Sequence, residues 1–331
     1  MTEERQVTLE PLGTKEPLYE LIEVPERFGP IQRLVDDRKI KTYAFTQDDY
    51  NPWYFGDDNP FGRRIGHAAI LANDVLQLFT TLYDPSAVVG FHTHEELWFH
   101  NPVFEGEVAT LEGAYVEKYE RRGKGYVVME AEARGEDGRL LITHRGEEIM
   151  RIHPGSVRGQ KASEKEETSN GGKSEERGRV SGEYRKDIEP VAQARRDLEP
   201  GTPIAPLRKH TTQEQVSIFS RAGRFIKNIH SDIDVAREAG LEVPIVQGQQ
   251  QLGYLTEMLT NFFGASWFTS GWVKVKFIGS VDVGETVTAR GAVTGAAQED
   301  GRTRLELEVW VETESGDMTT VGWASALVDE V

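Results

Sequence analysis

His230 is the side chain in this sequence best suited to moving a proton, because an unperturbed imidazole titrates near neutral pH. It stands in Asn228-Ile229-His230-Ser231-Asp232, with a carboxylate two residues beyond it. Downstream, Pro244-Ile245-Val246-Gln247-Gly248 leads directly into a mostly apolar run of helical length. A helix start carries unsatisfied backbone N–H groups and the positive end of the dipole. Gly248 would therefore offer a donor to a developing negative charge, and its lack of a side chain lets a ligand approach the backbone. The first half of the chain holds a counterpart, Asp49-Tyr50-Asn51-Pro52-Trp53-Tyr54, followed by Arg64-Ile65-Gly66-His67-Ala68. An aspartate ahead of Asn-Pro also suits a turn or cap, so Asp49 has both readings. Gly56-Asp57-Asp58-Asn59-Pro60-Phe61 is a rival match, but it lies too close to Ala68 to leave room for the intervening loop.

The elements that position these residues occur twice. The runs Phe61 to Tyr83 and Leu241 to Phe263 each give a short loop, a small residue (Ala68 or Gly248) and an apolar helical stretch. The segment from Phe99 matches that from Phe277, and Gly106-Glu107 recurs as Gly284-Glu285. The offset stays close to 180 residues throughout, which marks a duplication. Each copy continues in strand-like alternation, YVVMEAEAR from Tyr126 and LELEVWVE from Leu305, with turn signals between. A helix apolar nearly all round must be enclosed, and a curved antiparallel sheet is the simplest enclosure. The expected fold class is α+β: a tandem double hotdog, each unit a long central helix wrapped by such a sheet. Residues 155–186 are rich in Gly, Ser, Glu and Lys and cannot offset their ordering entropy, which predicts a disordered linker. The expected domains are thus 1–154 and 187–331.

Composition narrows the function classes. A net charge of −17 argues against nucleic acid, which needs a basic footprint. No apolar run reaches membrane-spanning length, and the charged MTEERQVTLE lacks a signal-peptide core, so a cytoplasmic protein is expected. The sequence holds no cysteine, which removes thiolate metal sites and thiol nucleophiles.

The paired motifs resemble the MaoC-like family, hotdog proteins that include R-specific enoyl-CoA hydratases. The family pattern is Asp-x-Asn-Pro-(apolar)-His, then Pro-(apolar)-x-His-Gly opening the central helix. This sequence departs from it in both halves. The first keeps Asp49 and Asn51 but has Tyr54 at the histidine. The second keeps His230 but has Phe225 at the aspartate, Lys227 at the asparagine, Asn228 one position late and Gln247 at the helix-opening histidine. The resemblance implies a hydro-lyase adding or removing water across the double bond of an enoyl thioester. His230 would be the general acid/base, Gly248 and Gln247 would face the thioester oxygen, and Asn228 would position water. Asp232 or Asp49 would supply the carboxylate. Double-hotdog members keep one working copy, which points to the second half, with Tyr54 and His67 as packing residues of a degenerate first half. No cofactor is implied, since coenzyme A enters only as part of the substrate. Arg221, Arg224, Lys227, Lys274 and Lys276 would hold its phosphates, and Asn51 would line the site. The two copies form an internal pseudo-dimer, with a homodimer left open. A non-catalytic acyl-CoA binding protein and a thioesterase using Glu257 or Asp74 are the competing readings.

Overall fold

The computed structural model describes residues 12–85, 90–150, 180–220 and 227–328. In the first half, β1 (Glu26–Val35) leads into α1 (Asp37–Gln47) and then α2 (Ala72–Leu76). The strands β2 (Phe91–Phe99), β3 (Glu107–Arg121), β4 (Lys124–Arg134) and β5 (Leu140–Met150) follow. The second half repeats the order with β6 (Leu207–His210), α3 (Gln213–Ser220), α4 (Ile233–Glu238), α5 (Gly248–Phe263) and α6 (Ala265–Ser270). It closes with β7 (Trp272–Phe277), β8 (Thr286–Glu299), β9 (Arg302–Thr313) and β10 (Met318–Val328). All ten strands form one sheet, ordered β1-β3-β4-β5-β2-β7-β10-β9-β8-β6. The order reads the same way outward from its centre, where β2 pairs antiparallel with β7, His94 opposite Lys276 and Trp98 opposite Trp272. The two copies are therefore an internal pseudo-dimer joined by strand pairing.

Repeated backbone bonds fix the correspondence between copies. The amide of Gly66 donates to Val103 O and that of Val246 to Val281 O. Gly106 donates to Val35 O and Gly284 to Thr211 O, both glycines at positive φ where a side chain would be strained. Ile65 donates to Trp53 O and Ile245 to Ile229 O, so Tyr54 and His230 follow equivalent positions.

The helices are less alike than the sequence predicts. In α5, 14 of 16 residues are buried over a length of about 24 Å. The corresponding run in the first copy is not one long helix. It gives the five residues of α2 and then a 3₁₀ turn over Gln77–Thr81. There Thr80 and Thr81 turn their hydroxyls back onto Gln77 O and Leu78 O, while Asn73 and Gln77 donate across to Phe219 O and Ser220 O at the end of α3. Local hydroxyl bonds and these tethers replace a continuous helical ladder. The expected linker is corrected at its end as well. Residues 155–179 lie outside the described residues, but Val180 is buried with Ala292 and Trp310, Ser181 bonds Glu308, and Tyr184 stacks on Trp310. One valine and one tyrosine with an apolar partner suffice to dock that stretch. Among the described residues, no helix is long and apolar enough to cross a membrane.

The core is shared between the halves. Phe99 packs on Trp267 at 5.2 Å between ring centroids, and Trp267 stacks on Phe263. Side-chain polar groups tie α5 to the first copy. Gln250 donates to Thr46 O at 2.8 Å, and Gly253 leaves room for Gln47, whose Oε1 would lie 2.3 Å from a Cβ there. Lys209 on β6 donates to Asp48 O at 2.7 Å and pairs with Glu257 of α5 at 2.7 Å. Burial, and then the charge of Asp49, hold the Glu257 carboxyl up at about 8 despite that ammonium.

This buried carboxyl has a stability consequence. Unfolded Glu257 loses its proton near 4.5, whereas the folded chain retains it to about 8. Between those limits the folded state binds more proton, so the contribution of this group falls as pH rises. Glu257→Gln is expected to flatten the decline in stability between about pH 5 and 8 in urea unfolding. A slope identical to that of the wild type would show that Glu257 titrates normally.

Candidate functional site

The loop that carries His230 is folded by its own polar residues. Asn228 Oδ1 accepts from the His230 amide at 2.9 Å and from the Ser231 hydroxyl at 3.3 Å, an Asx-type turn. Asn51 does the same in the first copy, accepting from the Trp53 amide at 3.1 Å. Both asparagines therefore shape turns, the simplest physical role for this residue type. The His230 ring is half-buried, and its Nδ1 lies 2.7 Å from Ile245 O. A carbonyl only accepts, so the proton is on Nδ1 and the basic lone pair of the neutral ring is on Nε2. Ile245 is three residues before Gly248, so this bond ties the imidazole to the segment that opens α5.

That helix start has no side-chain cap. Gln247 is the N-cap residue and makes no capping bond, and its Oε1 is buried without a partner. Gly248 is needed for close approach: a Cβ there would lie 3.0 Å from the ring of Phe277. The glycine thus makes room for an aromatic ring of the protein itself, beside backbone N–H groups at the start of a 16-residue helix.

The two carboxylates expected beside His230 are engaged elsewhere. Asp232 caps α4, accepting from the amides of Asp234 and Val235, and pairs with Lys227 at 2.8 Å. That lysine, then the helix amides, hold its carboxyl below the usual range. Asp49 accepts from the Asn51 amide at 3.1 Å, and its other oxygen lies 3.6 Å from Nε2 of His67, in its own copy. Burial raises the Asp49 carboxyl and lowers His67 to about 3, so His67 is neutral. Its Nδ1 accepts from the Ala69 amide, which places its proton on Nε2. Tyr54 completes the group, fully buried, its ring 5.7 Å from that of His67. The Asp49 Oδ2, Tyr54 Oη and His67 Nε2 atoms are all buried without a hydrogen-bond partner.

The other assigned residues fall as follows. Arg221, Arg224 and Phe225 lie outside the described residues. Lys227 and Lys274 are neutralised by Asp232 and Glu96, at 2.8 and 3.0 Å, which weakens them as free phosphate ligands. Neither carboxylate considered for thioester hydrolysis stands alone: Glu257 is held by Lys209, and Asp74 by Arg33 and Lys39. Trp53 packs on Phe61 and Phe268 as part of the core, while Phe55 stacks on Tyr50 at the surface.

One cluster was not singled out in the sequence. Glu95 on β2 is completely buried, with His92 Nε2 at 2.8 Å and His144 Nε2 of β5 at 3.0 Å from the same oxygen. Burial pushes Glu95 upward, but the two imidazoles outweigh it and hold the carboxyl at about 2. The His92 ring packs 4.9 Å from that of Phe277, the residue lying over Gly248. Two signals were present. Glu95 shares a strand face with Leu97 and Phe99, and Gly146 interrupts a strand where a Cβ would meet the His144 ring at 2.8 Å. Among the described residues, no group of three or more His, Asp or Glu side chains is arranged to hold a metal ion.

Residues 196–315 match the MaoC like domain. By sequence, no curated protein matches the chain. Among solved structures, a MaoC-like dehydratase superposes with a TM-score of 0.71 at 14% identity, covering 95% of this chain and 100% of that one. A Mycobacterium tuberculosis protein with a double hotdog fold gives 0.61 at 12% identity, over 95% and 98% of the two chains. The peroxisomal multifunctional enzyme type 2 of Drosophila melanogaster gives 0.58 at 18% identity, over 92% of this chain and 48% of that enzyme. At these identities the superpositions establish the fold. Residues 196–315 of the second half thus match the MaoC like domain, and the chain as a whole has a double-hotdog fold like that of the solved structures it superposes on.

Proposed function

We propose that this protein is a hydro-lyase that adds or removes water across the double bond of an enoyl-CoA thioester, working in its second copy. The observation that carries this reading is the His230 ring, fixed through Nδ1 to Ile245 O on the segment that opens α5. That bond keeps the neutral ring in one tautomer, with its basic lone pair on Nε2. The backbone N–H groups at Gly248 and Gln249 would stabilise the enolate oxygen that forms when the thioester is attacked. The MaoC-like domain spans both His230 and Gly248, which supports placing the reaction there. In the hydration direction, His230 takes a proton from water as the oxygen bonds to Cβ, and a proton is delivered to Cα.

A second reading, acyl-CoA binding without turnover, is motivated by Asp232, which caps α4 and pairs with Lys227 where a carboxylate partner for His230 was expected. The two differ in a direct measurement. His230→Ala is expected to lower kcat/KM for straight-chain 2-enoyl-CoA hydration by about 10²–10⁴-fold, with thermal melting unchanged. Wild-type turnover in that variant would sink the role given to His230. Saturable acyl-CoA binding with no hydration by the wild-type protein would favour the binding reading. Gly248→Ala forces the Phe277 ring away from the helix start, since the added carbon would lie 3.0 Å from it. Its expected effect is a kcat at least about tenfold lower, as one misdirected donor costs that or more; an unchanged kcat would separate Gly248 from the reaction.

A further inference from the structure

Hydration needs two proton transfers, one from water and one to Cα, and His230 serves one of them. In the MaoC-like pattern a carboxylate on the same loop shares this work, but here Asp232 and Asp49 are committed to other partners. Across the seam between the copies, β2 and β5 hold His92, Glu95 and His144 in a buried chain. A fully buried carboxylate costs several kcal/mol of desolvation unless it is paired, and packing alone gives no reason for one at this position. The His92 ring is the end of the chain nearer α5, 4.9 Å from the Phe277 ring that lies against Gly248. Its side chain is 11% exposed, whereas Glu95 and His144 are completely enclosed. Buried polar atoms remain in the group: Glu95 Oε1, both ring nitrogens of His92 and His144 Nδ1 have no hydrogen-bond partner, the His92–Glu95 contact being an ion pair.

Resting on the hydro-lyase reading, we propose that the site is composite: His92, supplied by the first copy and held by Glu95 and His144, is the acid that protonates Cα. In the hydration direction, water gives its oxygen to Cβ and a proton to His230. The π electrons form the new Cα–H bond with a proton from the His92 imidazolium. The enzyme is left with one proton moved from His92 to His230. It returns by exchange with solvent at His92 and His230, so no oxidant, reductant or further reactant is required. Dehydration runs the same steps in reverse.

The electrostatic surroundings suit that role. Burial works against a charged His92, but the Glu95 carboxylate 2.8 Å away outweighs it and raises the imidazole above its ordinary value. The remaining titratable neighbours come from each packed strand. Glu148 of β5 is half-buried, held upward by desolvation and lowered in part by His92 and His144. Tyr115 of β3 is buried near Glu148 and stays protonated. His94 is paired with Glu147 at 2.8 Å, and Lys276 of β7 stands opposite His94 in the ladder.

The test uses the full chain with a series of straight-chain 2-enoyl-CoA substrates. As the acid, His92 must be protonated, so hydration falls as pH rises through its pKa. Glu95→Gln removes the charge that raises this pKa and is expected to move the alkaline limb of kcat/KM about 1 unit or more to lower pH. The acid limb, which belongs to His230, stays in place. His92→Gln is expected to lose about 10²–10⁴-fold in kcat/KM with its melting transition retained. A merely structural cluster would give slower turnover with both limbs unmoved, and that result, or wild-type kcat/KM in His92→Gln, overturns the proposal. A second readout does not depend on turnover: butyryl-CoA is added to histidine-labelled protein and the His92 ring resonances are followed by NMR. Their displacement in wild type, lost in His92→Gln, supports a composite site, whereas unmoved resonances overturn it. If wild type hydrates no member of the series, the hydro-lyase reading falls and the NMR result alone decides whether His92 faces the thioester.

Discussion

Enclosing α5 is the constraint on which the rest of the molecule depends. Nearly every residue of this helix is buried, including three consecutive glutamines and a glutamate. Buried amides and carboxyls call for partners; the Gln249 amide has none, but the other groups of α5 draw theirs from both halves. Gln250 uses Thr46 O of the first copy, Gln251 accepts from Thr319 and Thr320 of the last strand, and Glu257 takes Lys209, which also holds Asp48 O. The ten-stranded sheet, joined at β2 and β7, supplies the second set of partners.

The same requirement explains why the copies have diverged. Where the second copy has a long buried helix, the first has five residues of α-helix and a 3₁₀ turn, and its α1 packs on α5. Its counterpart of the His230 loop is sealed: Asp49, Tyr54 and His67 are each nearly or wholly buried. Burial shifts all three toward their neutral forms, upward for the acid and the phenol and downward for the imidazole. Such a group is poorly placed to exchange protons with a substrate.

The seam between the copies concentrates the electrostatic cost of the fold. In a chain of net charge −17, Glu95 is buried without solvent and stabilised by two imidazoles from adjacent strands. Buried ion pairs are seldom the most stabilising choice compared with apolar packing. Clusters of this kind are common where pKa values are set for proton transfer. Here the cluster abuts Phe277, the ring for which Gly248 lacks a side chain, so the centre of the sheet and the start of α5 are in mechanical contact.

Much of this architecture was legible in the residues. The recurrence of Gly106-Glu107 as Gly284-Glu285 marked the duplication, and the structure gives both glycines a positive φ and the same kind of backbone bond. The alternation in β4 and β9 marked half-buried strands, because a strand sends neighbouring side chains to opposite faces. Spacing also brought His230 and Gly248 to one segment, since local turns and helix starts are set by nearby residues. Partners across the fold were not legible. No local pattern says that Asp49 will face His67, or that the first helix will break where Asn73 and Gln77 reach α3. The sequence by itself determined the repeat, the strands and the loop that holds His230, all properties of short range along the chain. Only the tertiary structure decided what stands beside the start of α5, because His92, Glu95 and Phe277 meet there through a strand pairing that joins residues nearly two hundred positions apart.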